Sequence, residues 1–261
     1  MGSSLILSAA DLPWCDRCPI VELRRYALHP GARDRLIALF DREFVETQEA
    51  VGMCVLGQFR DLDDADSFVW LRGFADMERR KDALESFYGG PTWKQHARAA
   101  NETMIDSDNV LLLRPISPLQ HDPSQRAAPT STETLPGLLA ITIWPLVRAT
   151  AAHVPALFEQ TLEPALRDSG ISVLATYVTE HSENTFPGLP VRENEDFFVW
   201  MSLFEDEGDH ARHLHLLERS AGWRAGTQAI AAHLASGEEI LRLRPTARSA
   251  LRAQTKRRGR A

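Results

Sequence analysis

The chain has 261 residues, of which 44% are hydrophobic and 25% charged, as is typical of a soluble globular protein with a sizeable core. Its formal net charge is -7, although the last sixteen residues carry six basic and no acidic side chains. The acidic remainder argues against a nucleic-acid partner. No apolar run reaches the roughly 18 residues of a membrane helix, and the first residues lack a secretory pattern. We therefore expect a cytoplasmic protein with no membrane partner.

Residues 1–19 are interpreted as an N-terminal extension. Cys15 and Cys18 form one C-x-x-C pattern within it, but no second cysteine pair or nearby histidine supplies the four ligands that a zinc site needs. We interpret the two residues as incidental thiols and predict no metal site.

Residues 20–115 alternate between strand and helix patterns. Segment 20–28 mixes β-branched, aromatic and charged residues, which favours a strand, and apolar residues at helical spacing follow over 32–50. Asp76 is suited to cap a later helix, and Pro91 to begin another. The predicted strands are 20–28, 53–59, 68–74 and 110–114, and the predicted helices are 32–50, 76–87 and 93–104.

The second half of the chain repeats this pattern. At an offset of 118 residues Tyr26 aligns with Trp144, and at an offset of 130 residues 68–70 (Phe-Val-Trp) align with the same three residues at 198–200. The change of offset indicates an insertion of twelve residues within 178–196, which is predicted to be a long loop. We interpret the repetition as a tandem duplication.

Both copies have the β-α-β-β-α-β order of a ferredoxin-like module, in which helices cover only one face of the sheet. Segments 68–71 and 111–113 are apolar on both faces, so the two copies are expected to cover each other. The predicted fold is α+β: an intramolecular dimeric α+β barrel. Its predicted parts are the N-terminal extension (1–19), module one (20–115), a Pro-, Ser- and Thr-rich linker (116–137), module two (138–245) and a basic, solvated C-terminal tail (246–261).

The sequence resembles the NIPSNAP family of the dimeric α+β barrel superfamily at Val21-Glu-Leu-Arg-Arg-Tyr26, Pro30-Gly31, Phe68-Val-Trp-Leu71 and Trp93. The likeness covers module one well and module two more loosely. It implies a barrel built by two modules, with a pocket between sheet and helices in each. The superfamily includes cofactor-free monooxygenases, haem-binding or haem-degrading enzymes, isomerases and non-catalytic binders, so the resemblance does not select one reaction.

Three polar residues occur in module one alone and are candidate catalytic residues: Arg25, Arg72 and His96. The residues that align with them in module two are Ile143, Ser202 and Gly226. Arg72 lies in an apolar strand and needs a partner, either an anionic ligand or an internal acid such as Glu43. His96 suits proton transfer near neutral pH, but a surface histidine or a haem ligand would fit the same pattern.

Aromatic residues of module one are candidates for the walls of a substrate pocket. The same residues would serve equally well as core packing, and Tyr88 precedes a Gly-Gly-Pro break where a lid is conceivable. The candidates for substrate binding are Tyr26, Phe59, Trp70, Tyr88 and Trp93.

Two functions remain open at this point. The first is an enzyme that acts without a cofactor on a small hydrophobic or aromatic, anionic substrate by oxygenation, isomerisation or dehydration, with haem binding as a lesser alternative. The second is a non-catalytic ligand-binding or interaction protein on the same barrel. A monomer with an internal pseudo-dimer is expected, and a homodimer remains open.

Overall fold

The fold was analysed in a computed structural model that describes residues 18–117, 119 and 126–253. Cys15 and the last basic residues of the tail lie outside this range. The described residues form eight strands with helical layers between them. Module one contains β1 (Ile20–Leu28), α1 (Arg33–Leu39), a π-helical turn (Phe40–Phe44), α2 (Val45–Glu49), β2 (Cys54–Asp61), β3 (Ser67–Phe74), α3 (Met77–Tyr88), α4 (Pro91–Asn101) and β4 (Met104–Ser117).

Module two repeats this order. It contains β5 (Leu138–Leu146), a 3-10 turn (Ala151–His153), α5 (Val154–Leu157), a π-helical turn (Phe158–Leu162), α6 (Glu163–Asp168), β6 (Val173–Thr179), β7 (Asp196–Phe204), α7 (Glu207–Glu218), α8 (Ala221–Ala231) and β8 (Glu239–Pro245). Both modules are therefore ferredoxin-like, as predicted.

The eight strands form one closed barrel in the order β1-β3-β2-β8-β5-β7-β6-β4. Two antiparallel seams join the modules, one between β2 and β8 and one between β4 and β6. The modules thus share a hydrogen-bonded sheet instead of packing two separate sheets face to face, and closure leaves no bare sheet edge. The predicted intramolecular dimeric α+β barrel is confirmed.

Local sequence explains several element ends. The side chain of Asp76 accepts a hydrogen bond from the Arg79 amide at 2.6 Å and so caps α3, and Pro91 occupies the first turn of α4. Gly52 ends the first helical layer with a φ of 96°, which suits glycine. β4 begins six residues before its predicted start, because a polar stretch continues to pair with β1 beyond a register shift near Arg25.

Strand alternation sorts the side chains into three cores. One fills the barrel interior with residues of both modules, including Leu23, Leu71, Ile141 and Met201. The other two lie outside the barrel, each beneath the helices of one module. The site candidates are divided among these layers.

The linker and tail are more ordered than the sequence suggests. In the described part of the linker, Arg126 pairs with Glu49. In the tail, Arg248 is 3% exposed, pairs with Glu46 and donates to the carbonyl oxygen of Ala127 at 2.9 Å. The prediction of a solvated tail is therefore wrong for residues 246–251, which pack beside the β2–β8 seam. None of the helices among the described residues is long and apolar enough to cross a membrane.

Asp41, beside this tail, provides a pH-dependent test of the packing. Burial raises the pKa of its carboxyl group from the usual 3.8 to about 6. The folded protein therefore holds this proton more tightly than the unfolded chain, and its stability should fall as pH rises from about 4 to about 6. Asp41→Asn removes the ionisation, so it should gain about 2–3 kcal/mol relative to wild type between pH 4 and pH 8. Urea unfolding at both pH values measures this, and a pH-independent difference would contradict it.

Candidate functional site

The two faces of β1 carry different chemistry. Leu23 and Arg25 point into the barrel, whereas Glu22, Arg24 and Tyr26 point outward beneath the helices of module one. Glu22 and Arg24 are completely buried. The strand therefore places a carboxylate and a guanidinium in a layer that is otherwise apolar and aromatic.

Glu22 binds three arginines. Arg24 Nη1 and Arg72 Nε each donate to its Oε2 at 2.8 Å, and Arg80 Nε donates to its Oε1 at 2.6 Å. All four side chains, here called the Glu22 cluster, have 0% exposure. The cluster connects β1, β3 and α3.

The Glu22 cluster holds three positive charges against one negative charge, an excess of two. Burial alone would raise the pKa of Glu22, but the three arginines hold it well below its usual range. Arg72 Nη2 and Arg80 Nη2 are buried without a hydrogen-bond partner. Because buried charge is costly unless it is paired, the arrangement has the composition of an anion site.

An aromatic cavity of about 30 Å³ lies beside the cluster. Gln48 connects the two, since it lines the cavity and its Oε1 accepts from Arg72 Nη1 at 3.2 Å. The Arg72 guanidinium carbon lies 5.0 Å from the centre of the Trp70 ring, and Arg24 Nε donates to the Tyr26 hydroxyl at 3.1 Å. Four of the five predicted wall residues line this cavity: Tyr26, Trp70, Tyr88 and Trp93.

The remaining candidates lie elsewhere. Phe59 lies in the barrel interior, and Arg25 pairs with Glu239 of module two near the end of that interior. His96 Nε2 lies 3.6 Å from Glu43, and its side chain does not line the aromatic cavity. The structure therefore separates Arg25 and His96 from Arg72, whose internal partner is Glu22 and not Glu43.

Module two covers this site with the connection between β6 and β7. Residues 180–195, here called the covering segment, replace a connection of only five residues, 62–66, in module one. Asn184 Oδ1 accepts from Arg80 Nη1 at 3.0 Å, and Phe186 stacks on Tyr88 with ring centres 5.9 Å apart. The predicted loop is thus part of the candidate site.

The equivalent layer of module two lacks the charges. In the sheet register Glu22 faces Arg72, and Ala140 faces Ser202 at the same place. The residue four positions after the capping aspartate is Arg80 in α3 but histidine in α7. The positions that match Glu22, Arg24, Arg72 and Arg80 are Ala140, Thr142, Ser202 and His210.

A larger cleft of about 990 Å³ lies along the β4–β6 seam, and parts of the covering segment line it. Leu112 and Val191 line this cleft and also contact the outer core of module one. At its rim, His181 Nε2 lies 2.9 Å from Asp196 Oδ1, and Arg148 Nε lies 2.8 Å from Oδ2 of the same carboxylate. The cleft contains residues of both modules, so neither copy alone would predict it.

Sequence reasoning missed Glu22, Arg24 and Arg80. The available signal was strand alternation, which places Glu22 and Arg24 on the same face as Tyr26. Comparison of the copies gave a second signal, because the aligned residues of module two are alanine, threonine and histidine. Arg25 also differs between the copies, but its side chain lies on the face of β1 that points into the barrel.

Among the described residues, those around the aromatic cavity do not fit a haem held by His96. His96, the candidate axial ligand, faces Glu43 at 3.6 Å and does not line the aromatic cavity. Among the residues that the structure describes, no group of three or more His, Cys, Asp or Glu side chains is arranged to hold a metal ion.

The Glu22 cluster predicts a strong asymmetry between two glutamate substitutions. Glu22→Gln leaves three buried guanidinium groups without a carboxylate and should cost about 3–5 kcal/mol of unfolding free energy. Glu239→Gln, the control, removes the partner of Arg25 at a site that is 34% exposed and should cost less than about 1 kcal/mol. Urea denaturation measures both variants. Equal costs would mean that the cluster does not depend on its carboxylate.

Residues 21–119 match the NIPSNAP family model, and no curated protein matches the sequence. A putative monooxygenase from Fusobacterium nucleatum is 9% identical, with a TM-score of 0.58, over 88% of this chain and 93% of that one. A putative monooxygenase from Lactobacillus acidophilus is 11% identical, with a TM-score of 0.53, over 91% and 100%.

An anthrone oxidase-like protein is also similar, at 10% identity and a TM-score of 0.51 over 93% of this chain and 99% of that one. At these identities the three structures establish the shared fold across both modules, and nothing further about chemistry. The chain therefore carries a NIPSNAP domain at residues 21–119, which forms the first half of an intramolecular dimeric α+β barrel.

Proposed function

We propose that module one binds a small aromatic anion between its sheet and its helices, and that the protein is an enzyme which oxygenates such a substrate. The observation that carries the proposal is the excess of two buried positive charges in the Glu22 cluster, directly beside an aromatic cavity. Arg72 and Arg80 each offer one unpartnered Nη2 donor for the anionic oxygens.

The cluster favours the ionised form of a phenol, enol or carboxylic acid. A nearby excess of positive charge lowers the pKa of a bound acid, so the substrate can lose its proton to water without a protein base. Aromatic walls suit the planar body of such a ligand. The role of Trp70 and Trp93 is therefore to hold the ring, and that of Arg72 and Arg80 to hold the oxygen.

Oxygenation is favoured over isomerisation or dehydration because an enolate or phenolate is the electron-rich form that dioxygen attacks. The names of the structural neighbours point in the same direction. For anthrone, the enolate would add dioxygen at C10 and take up a proton, and the resulting hydroperoxide would lose water to give anthraquinone. One dioxygen is consumed for each anthrone, and no other reductant is needed.

A non-catalytic binder is the second candidate. It is favoured by the composition of the cavity wall, where tyrosines are the only titratable side chains among the described residues. His96, the candidate for proton transfer, does not reach this wall. Under this alternative, the same anion binds and is released unchanged.

Binding of 2-naphthoate tests the ligand class. Arg72→Met should weaken its affinity by about 10–100-fold, because a hydrogen bond to a charged group is lost. Arg72→Lys should retain part of the affinity. The matched control, Ser202→Ala at the equivalent position of module two, should leave it unchanged. Calorimetry on folded variants measures all four proteins. Equal affinity in wild type and Arg72→Met would exclude the proposed site.

Dioxygen uptake with anthrone tests the reaction. The wild-type protein should consume one dioxygen per anthraquinone formed, faster than the uncatalysed background, and Arg72→Met should reduce the protein-dependent rate by at least about tenfold. An oxygen electrode and absorbance follow the two quantities. Tight 2-naphthoate binding with no uptake above background would favour the non-catalytic binder.

A further inference from the structure

The covering segment touches the anion site through oxygen atoms. Arg80 Nη1 donates to Asn184 Oδ1 at 3.0 Å and lies 3.4 Å from Thr185 Oγ1. Thr185 in turn donates to the carbonyl oxygen of Met77 at 3.1 Å. Two neutral oxygens of module two therefore contact the Arg80 guanidinium. This guanidinium belongs to a cluster that has one carboxylate for three arginines.

Asn184 is held in this position by its own segment. Its Nδ2 donates to the Leu189 carbonyl oxygen at 3.0 Å, and its Oδ1 also accepts from the Phe186 amide at 3.1 Å. The segment is anchored to β4 at both ends, where the Glu180 amide donates to Leu112 and the Arg192 amide to Val110. The oxygen at Arg80 is therefore presented by a defined turn.

We propose that the Asn184 side-chain oxygen occupies the position of a ligand oxygen at Arg80, and that the covering segment thereby selects anions over neutral aromatic molecules. This inference rests on the proposed anion site of module one. It assigns Asn184 and Phe186 of module two as specificity-determining residues of that site.

The small size of the aromatic cavity requires that part of its wall is displaced when a ligand binds. The aromatic cavity of about 30 Å³ is smaller than any aromatic ring, so a ligand enters only when a wall moves. Tyr88 lines the cavity, and Phe186 of module two stacks on it from the covering segment. The cleft of about 990 Å³ borders the outer core of module one, because Leu112 and Val191 line the cleft and also contact that core. A ligand in the cleft would therefore reach Arg80 only by displacing the covering segment, whose residues 180–183 and 191–194 line the cleft.

The selection of anions over neutral aromatic molecules follows from the strength of the hydrogen bond that each accepts from Arg80. A bond from a guanidinium to a carboxylate or phenolate is roughly twice as strong as one to a neutral amide oxygen. An anion that binds the unpartnered Nη2 of Arg80 can therefore also displace the Asn184 oxygen from the neighbouring Nη1, whereas an aromatic alcohol exchanges one neutral acceptor for another. A neutral ligand gains too little to open the segment.

Two substitutions at Asn184 should act in opposite directions. Asn184→Ala removes the competing oxygen and should tighten 2-naphthoate binding by about tenfold, whereas Asn184→Asp supplies a resident carboxylate and should weaken it by about tenfold or more. Calorimetry with 2-naphthoate, and separately with formate as the smallest carboxylate, measures both. If Asn184 merely supports the fold, both substitutions shift affinity in the same direction, and that result would overturn the inference.

Hydrogen exchange separates this inference from the proposed function. Formate at saturating concentration should speed amide exchange within 180–195 in wild type, because it releases Asn184, but not in Asn184→Asp. Glu193→Gln, whose side chain lines only the cleft, is the control and should respond like wild type. Formate-dependent exchange without 2-naphthoate binding would uphold the competition and reject the aromatic substrate. Unchanged exchange in wild type at saturating formate would reject the competition itself.

Discussion

The contact between Glu22 and three buried arginines is the constraint on which the candidate site depends. It joins β1, β3 and α3 through one carboxylate, and through Arg80 it reaches the covering segment of module two. A single carboxylate can offset only one of three charges, so the cluster requires additional acceptors. Gln48, Tyr26 and Asn184 supply neutral ones, and two Nη2 atoms remain unpartnered.

The barrel explains why the two modules can differ so much outside it. Its interior is filled by apolar side chains of both halves, and that interior fixes strand order and register. The outer layers are separate cores, so charges can be present under one set of helices and absent under the other without a change of fold. Module two has alanine, threonine, serine and histidine where module one has the cluster, and it provides the longer connection instead. The site is thus asymmetric although the fold is nearly symmetric.

The fold could be predicted because its signals are local and repeated. Strand alternation and helix caps such as Asp76 are short-range features, and both copies carry them. The site could be predicted only in part, because its geometry depends on contacts between distant residues. Arg72 and Glu22 are fifty positions apart, and Asn184 reaches Arg80 across the module boundary. No short-range sequence pattern in 180–195 indicates that this segment covers module one. The burial of Arg248 likewise depends on a remote partner, Glu46.

Stability and function are opposed in the Glu22 cluster. An apolar set of side chains of similar volume is often at least as stabilising as a buried ion cluster, and module two has the same fold without the three arginines and the glutamate. Folding alone therefore gives no reason for an excess of positive charge beneath the helices of module one. A bound anion would remove that excess and would stabilise the folded state in proportion to its affinity. The same charges that make the empty site costly are those that would give it selectivity, and this connects the energetics of the fold to the proposed chemistry.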